Sequence, residues 1–292
     1  MKRLEQILIT GSNGFIGSKL KSRLIELNYD IIEVNSSDGD ISDFNSIKNI
    51  NFENISHVFH LAAKTFVPDS WINPQEYYKV NSFGTLNVLE LCKRYNKSLT
   101  FISSYIYGQP ESLPVSEEHK LNPNNPYAHS KFMSEQFCEF YAKQFNVDIT
   151  VIRPFNVYGL GQNKKFLIPL IIDQAMNNNE IKIKDLSPKR DYVFLEDLIE
   201  ALILTINKKG YSIYNIGSGY SISVKQVIET VQKVFNINKK VISDEIERKN
   251  EILDVVADIK KAKEELNWYP KYSFEDGIKE IIDYEVTINR NK

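Results

Sequence analysis

The apolar positions fall into two alternating patterns. Short β-branched runs, "ILIT" (7–10), "IIEV" (31–34), "HVFHLA" (57–62), "LTFISS" (99–104) and "ITVIRP" (149–154), are separated by longer stretches whose apolar residues recur at helical spacing. The runs predict strands buried on both faces, and the longer stretches predict amphipathic helices at about 15–27, 75–95 and 127–145. Strand alternating with helix makes a parallel sheet covered on both sides. Residues 1–155 therefore predict a doubly wound α/β domain with a parallel sheet.

Beyond residue 155 the alternation loosens. "NVYGLGQNKKFLIPLII" starts with turn residues and becomes helical to about Asn177, and further helices are expected near 224–235, 258–267 and 274–285. Residues 156–292 read as a smaller mixed α/β domain over the sheet's carboxyl edge, interleaved with the first, to which parts of 190–217 return.

Composition narrows the function classes. The 292 residues are 42% hydrophobic and 25% charged, with a net charge of −2. That balance is ordinary for a globular protein and gives no footprint for nucleic acid. Cys92 and Cys138 sit in helical runs and read as reduced core thiols, and the four histidines show no ligand spacing, so no metal is expected. No window approaches the roughly 18 apolar residues of a membrane span, and the N-terminal apolar run is too short for a signal peptide. The expectation is a cytoplasmic protein that stays off membranes.

"TGSNGFIGSKL" follows the first predicted strand and carries Gly11, Gly14 and Gly17. A strand, a glycine turn and a helix start present backbone N–H groups to a dinucleotide pyrophosphate. Asn13, Phe15 and Ile16 lie within the same loop. An acid after the second strand would favour NAD and a base NADP; this chain has Asn35, Ser36 and Ser37, so NAD and NADP both stay open. Asp40 and Ile41 follow where an adenine would rest.

Tyr127 is the one tyrosine of 16 with a lysine, Lys131, four residues on. Residues four apart share a helix face. An ammonium beside a phenol favours phenolate, which predicts a lowered phenol pKa and proton exchange with a substrate hydroxyl or carbonyl near neutral pH. Ser103 and Ser104 end the strand "LTFISS" at the carboxyl edge, where a hydroxyl can orient the same oxygen.

With these motifs in place, the chain resembles the extended short-chain dehydrogenase/reductases of the NAD-dependent epimerase/dehydratase family, which act on nucleotide sugars and have a Rossmann-type fold. The resemblance is carried by "TGSNGFIG" (10–17), "DI" (40–41), "HLAA" (60–63), "VNSFGTLNVLE" (80–90), "SSYIYG" (103–108), "YAHSK" (127–131), "RPFNVYG" (153–159), "KRDYVFLEDL" (189–198), "YNIGSG" (214–219) and "VADIKKAKEELNWYP" (256–270). It implies Ser103 as catalytic serine, Tyr127 as acid/base, and Lys131 as the residue that holds the nicotinamide ribose and tunes Tyr127. It also implies cofactor contacts from Leu61, Ala62 and Ala63, support of the active-site helix by Asn81, and sugar-nucleotide contacts from Ser104, Asn156, Arg190 and Arg248. A homodimer through the helices at 75–95 and 127–145 is implied as well.

The family's dehydratases carry an adjacent Asp–Glu pair after the catalytic hydroxyl; here those positions are Ser104 and Tyr105. This disfavours dehydration, and Tyr105 also disfavours decarboxylation. Two reactions remain: reduction of an NDP-4-keto-6-deoxyhexose, placed first on chain length and the short Asn35–Asp40 connection, and 4-epimerisation of an NDP-sugar with retained NAD. A non-catalytic nucleotide-binding module is the alternative outside enzymology.

Overall fold

The apolar runs become parallel strands. The computed structural model of the chain describes residues 5–245 and 252–290. In chain order the first elements are β1 (Gln6–Thr10), α1 (Phe15–Glu26), β2 (Asp30–Val34), α2 (Phe44–Ile47), β3 (Ile55–His60), α3 (Val67–Ile72) and α4 (Pro74–Tyr77). A π-helical turn (Tyr78–Phe83) then leads into α5 (Gly84–Tyr95), β4 (Ser98–Ile102), α6 (Pro126–Phe145) and β5 (Ile149–Pro154). The rest comprises β6 (Asn156–Tyr158), α7 (Leu167–Asn177), β7 (Glu180–Ile183), β8 (Lys189–Arg190), β9 (Tyr192–Phe194), α8 (Leu195–Ile203) and β10 (Tyr211–Ile216), then β11 (Ile222–Ser223), α9 (Val224–Phe235), β12 (Lys240–Ser243), α10 (Lys260–Leu266) and α11 (Phe274–Arg290).

Six strands pair in the order β10-β5-β4-β3-β1-β2, every pair parallel. Side chains alternate across the sheet. Ile7 and Ile9 pack with Leu20 and Leu24 of α1 and Leu198 and Leu202 of α8, while Leu8 packs with Val88 and Leu89 of α5 and Cys138 of α6. Both faces are therefore covered, and the fold is the expected Rossmann-type α/β fold. Full burial of each such side chain stabilises by roughly 1.5–3 kcal/mol. A third apolar cluster joins α7, α9 and α11 around Ile171, Val227 and Ile278, beside the pairs β12-β7 and β6-β9.

Local chemistry sets the helix ends. Asn125 caps α6 by accepting from the Ala128 N–H, and Pro126 opens the helix. Helices α5, α6, α9 and α10 all stop at a left-handed asparagine: Asn96, Asn146, Asn236 and Asn267.

Three expectations shift. Strands β3 and β4 stop at His60 and Ile102, two residues short of the predicted ends, so Leu61, Ala62, Ser103 and Ser104 are loop residues at the carboxyl edge. The helix expected around 75–95 is broken by the π turn. At the turn the Asn81 carbonyl accepts from Thr85 Oγ1 (2.6 Å) and Ser134 Oγ (3.0 Å).

Candidate functional site

Strand order reverses between β1 and β3, which opens a crevice at their carboxyl ends. Gly11 follows β1 with φ +74°, and a Cβ there would stand 2.8 Å from the Ala62 amide nitrogen. At Gly17 a Cβ would lie 2.1 Å from the Gly11 carbonyl oxygen. Only glycine fits both places, which explains the spacing of the loop. Helix α1 begins after Gly14 with no side-chain cap, so its first N–H groups are open to an anion. Phe15 and Ile16 supply those groups, and Asn13 and Gly14 are exposed beside them. Thr10 Oγ1 takes the N–H groups of Leu61 and Ala62, each at 3.2 Å, and bonds His60 Nδ1 at 2.7 Å, which joins β1 to β3 under the loop. Ala63 follows, half-buried.

The end of β2 carries no unengaged acid among the described residues. The Asn35 amide oxygen accepts from the Asn13 N–H (3.0 Å) and Ser12 Oγ (3.1 Å). Glu33 accepts from Ser12 and pairs with Lys21, and Asp38 takes the Asn35 N–H at 2.7 Å. Asp40 accepts twice from Ser42 and once from Lys79, bonds that hold its carboxyl down at about 2. Ile41 is buried, touches α5 at Gly84, and gives its carbonyl to Asn87.

The proton-transfer candidates converge at the end of β4. Lys131 is 2% exposed; its ammonium donates to the Ile102 carbonyl at 2.6 Å and lies 4.7 Å from the Phe101 ring centre. Burial pushes it down to about 7, against an upward pull from Glu135. Ser103 and Ser104 are both buried, and neither hydroxyl completes a hydrogen bond. Two buried hydroxyls without partners are uncommon unless something else meets them. Tyr127 is partly exposed beside them, edge-on to Tyr77.

The expected lowering of the phenol by Lys131 is not what the chain has. Burial pushes Tyr127 up to about 12, Ser104 works in the opposite direction, and Lys131 is turned to the Ile102 carbonyl instead. Asn81 fixes the helix. Its Nδ2 donates to Ser130 Oγ (2.9 Å) and the Lys64 carbonyl (3.0 Å), its Oδ1 takes the Lys64 N–H (2.8 Å), and Ser130 passes its own proton to the Tyr127 carbonyl (2.7 Å).

At the start of β6, Asn156 donates its backbone and side-chain N–H groups to the Asp191 carbonyl, which sets it beside Arg190. Arg190 spends Nη1 on the carbonyls of Lys189 and Ile252, so it arrives already tied to backbone. Tyr105 packs edge-on against Phe155 and donates to the Gly108 carbonyl, with the Arg190 charge nearby. Arg248 lies outside the described residues. The sequence does not single out Asp191 within the run "KRDYVFLEDL"; its buried carboxylate accepts from Ser218, Gly219 and Ala257. Nor did it flag Glu135, although its spacing from Lys131 and the arginine in the buried run "ITVIRP" were both readable.

A parallel doubly wound sheet with this loop and this tyrosine–lysine helix defines a dinucleotide-dependent enzyme. The chain belongs to the NAD dependent epimerase/dehydratase family, whose model matches residues 7–217. It is 33% identical to a UDP-glucuronate 4-epimerase of Thermodesulfobacterium geofontis, over 95% of each chain. It is 31% identical to a dTDP-4-dehydro-6-deoxyglucose reductase of Escherichia coli, over 96% of this chain and 97% of that one. Among solved structures, a Thermotoga maritima UDP-glucose 4-epimerase with UDP-glucose superposes with a TM-score of 0.92 at 29% identity, covering 97% of this chain and 99% of the other. Neighbours at 26% identity hold NAD, in a Thermus thermophilus UDP-glucose 4-epimerase (TM-score 0.85, 96% of this chain and 98% of that), or NADPH, in a Pseudomonas aeruginosa protein (TM-score 0.87, same coverage). The chain is therefore an NAD(P)-dependent enzyme of this nucleotide-sugar family, and its glycine loop, uncapped helix start and partnerless serines fit that cofactor.

Proposed function

We propose that this enzyme reduces the 4-keto group of an NDP-4-keto-6-deoxyhexose. The observation that carries this reading is the end of β2. A retained cofactor is best gripped by a carboxylate on its ribose diol, because charge-assisted hydrogen bonds are the strong ones. Here Asn35 stands there with its amide already shared by Ser12 and Asn13, which suits a cofactor that leaves after each turnover.

The acid–base pair supports the same direction. A phenol held protonated is ready to give its proton to a carbonyl oxygen. In this reading Ser103 and Ser104 hydrogen-bond that oxygen, Tyr127 donates to it, and Lys131 stabilises the phenolate left behind. The bound nicotinamide supplies the hydride. The open N–H groups of Phe15 and Ile16, in the turn formed by Gly11, Asn13, Gly14 and Gly17, would hold the pyrophosphate, and Asn156 and Arg190 would border the sugar nucleotide.

NDP-sugar 4-epimerisation is the second reading, favoured by the overlay on a UDP-glucose 4-epimerase along nearly the whole chain. The test is to mix purified protein with a dTDP- or GDP-4-keto-6-deoxyhexose and follow NADH and NADPH absorbance. Stoichiometric consumption is expected. No consumption, with C4 interconversion of UDP-sugars and no added cofactor, would make it the epimerase. Tyr127→Phe is expected to lower turnover by roughly 100- to 10,000-fold; an unchanged rate would remove Tyr127 from the chemistry, and no turnover of either substrate class by the unaltered protein would leave a binding module.

A further inference from the structure

Tyr127, Lys131 and Glu135 stand one turn apart on a single face of α6. Glu135 is 2% exposed, and so is the arginine that grips it from β5. Arg153 Nε donates to both Glu135 oxygens (3.0 and 3.1 Å), and Nη2 donates to Oε2 at 2.6 Å. Its remaining arm, Nη1, donates to the Tyr107 hydroxyl (2.8 Å) and the Glu117 carbonyl (3.2 Å). Tyr107 in turn donates to Asn215 of β10 at 2.6 Å. Tyr107 lies four residues beyond Ser103, in the loop that carries both partnerless serines. Arg153 is thus bonded at once to the helix of Tyr127 and Lys131 and to the loop of Ser103 and Ser104.

A buried ion pair is weak evidence for stability, since desolvation offsets most of its attraction. Its placement here suggests another use. The groups facing Lys131 are Glu135 and Cys138 on its own helix, His60 from β3, the Phe101 ring and Ile102 carbonyl of β4, and Tyr127 a turn away. Burial keeps Cys138 a thiol and His60 an uncharged imidazole, which leaves Glu135 as the carboxylate among these groups.

We propose that Glu135 and Arg153 are positioning residues for the proton transfer: Glu135 holds Lys131 as an ammonium by its charge, and Arg153 shares that charge while joining the helix to the serine loop. The proposal rests on the reading of Tyr127 and Lys131 as the proton-transfer pair. Its test is read on the lysine itself, so an error in the assigned substrate would leave it intact.

Nuclear magnetic resonance of isotope-labelled lysine Cε follows each ammonium through a pH titration, and Lys131→Arg identifies the resonance by its loss. In the unaltered protein burial is expected to place the Lys131 midpoint at about 7, apart from ordinary lysines. Glu135→Gln is expected to lower that midpoint by about one unit, the size of a lost nearby charge. Glu135→Asp, which keeps the charge, is expected to hold the midpoint near that of the unaltered protein and to restore turnover. A helix merely loosened would admit water and raise Lys131 instead. An unchanged or raised midpoint in Glu135→Gln therefore overturns the proposal, as does an aspartate variant as perturbed as the glutamine one. Should Glu135→Gln fail to fold, Glu135→Met with Arg153→Met decides, because it leaves no unpaired buried charge. The double variant is expected to lower the Lys131 midpoint, the reverse of a loosened helix; an unchanged or raised midpoint rejects the idea.

Discussion

Lys131 and Tyr127 depart from ordinary values in opposite directions, and burial is the main cause of both. The ammonium is pushed down from 10.5 to about 7, and the phenol up from 10.0 to about 12. Through the neutral range the phenol keeps its proton, while Lys131 changes charge. Reduction needs the cation to stabilise the phenolate it leaves, so its assistance is complete below about pH 7 and is lost as pH rises through that value. Turnover in the direction of ketone reduction is expected to fall across this window, and a pH–rate profile checks it; a rate that rises there would contradict the assignment. Stability moves the other way. Between the folded value and the ordinary one the unfolded chain binds the extra proton, so this group's penalty is largest below about 7 and fades towards 10.5. Opposite trends in rate and in thermal midpoint over one pH range would separate Lys131 from general acid or alkaline damage.

At the scale of elements, the loop at Ser218–Gly219, the turn before β9 and the segment at Ala257 meet on one carboxylate. Asp191 Oδ1 accepts from the Ser218 N–H and hydroxyl (2.6 and 2.7 Å), and Oδ2 from the N–H groups of Gly219 and Ala257 (both 3.0 Å). Asp191→Asn puts an NH2 where two donors point. Each buried donor left without a partner costs about 1–3 kcal/mol. Burial already pushes this carboxyl up from its ordinary value, so losing the charge recovers part of that, and a net loss of about 2 kcal/mol is expected. At roughly 2–4 °C per kcal/mol for chains near this size, calorimetry would show a drop of about 4–8 °C. Cofactor affinity should hold, because the glycine loop lies on other elements. The strands, the glycine loop and the Tyr127–Lys131 spacing were legible in the sequence, since each is written within a dozen residues. Asp191 was not, because its partners come from 27, 28 and 66 positions away. The long-range contact at the break before α5 was hidden for the same reason: the Asn81 carbonyl accepts from Ser134, 53 residues later. Asp40 is engaged first by Ser42, two residues on, and its added pairing with Lys79 is one that only the folded chain brings about.

For the whole molecule, exposed apolar side chains are scattered, with Ile25, Trp71, Ile72 and Leu253 among them, and two of them are aromatic rings beside the two long helices of the site. Phe83, at the end of the π turn, is 56% exposed, and Phe140 of α6 is 55% exposed. The helices themselves are joined, since the Tyr141 hydroxyl donates to Glu90 of α5 and Lys93 sits over the Phe145 ring. Two large aromatic rings left in water on a rigid helix pair are the kind of surface that a second copy covers, because aromatic side chains carry much of the energy of protein interfaces. The expected assembly is a homodimer with α5 and α6 of each copy against those of the other. Sedimentation of the unaltered protein should then give twice the chain mass, and Phe83→Glu with Phe140→Glu should give a monomer. Such a monomer should keep the Lys131 titration, since Lys131 is buried within a single chain. A monomer at every concentration before any substitution would end the dimer proposal, and the two rings would then be exposed aromatics without a partner.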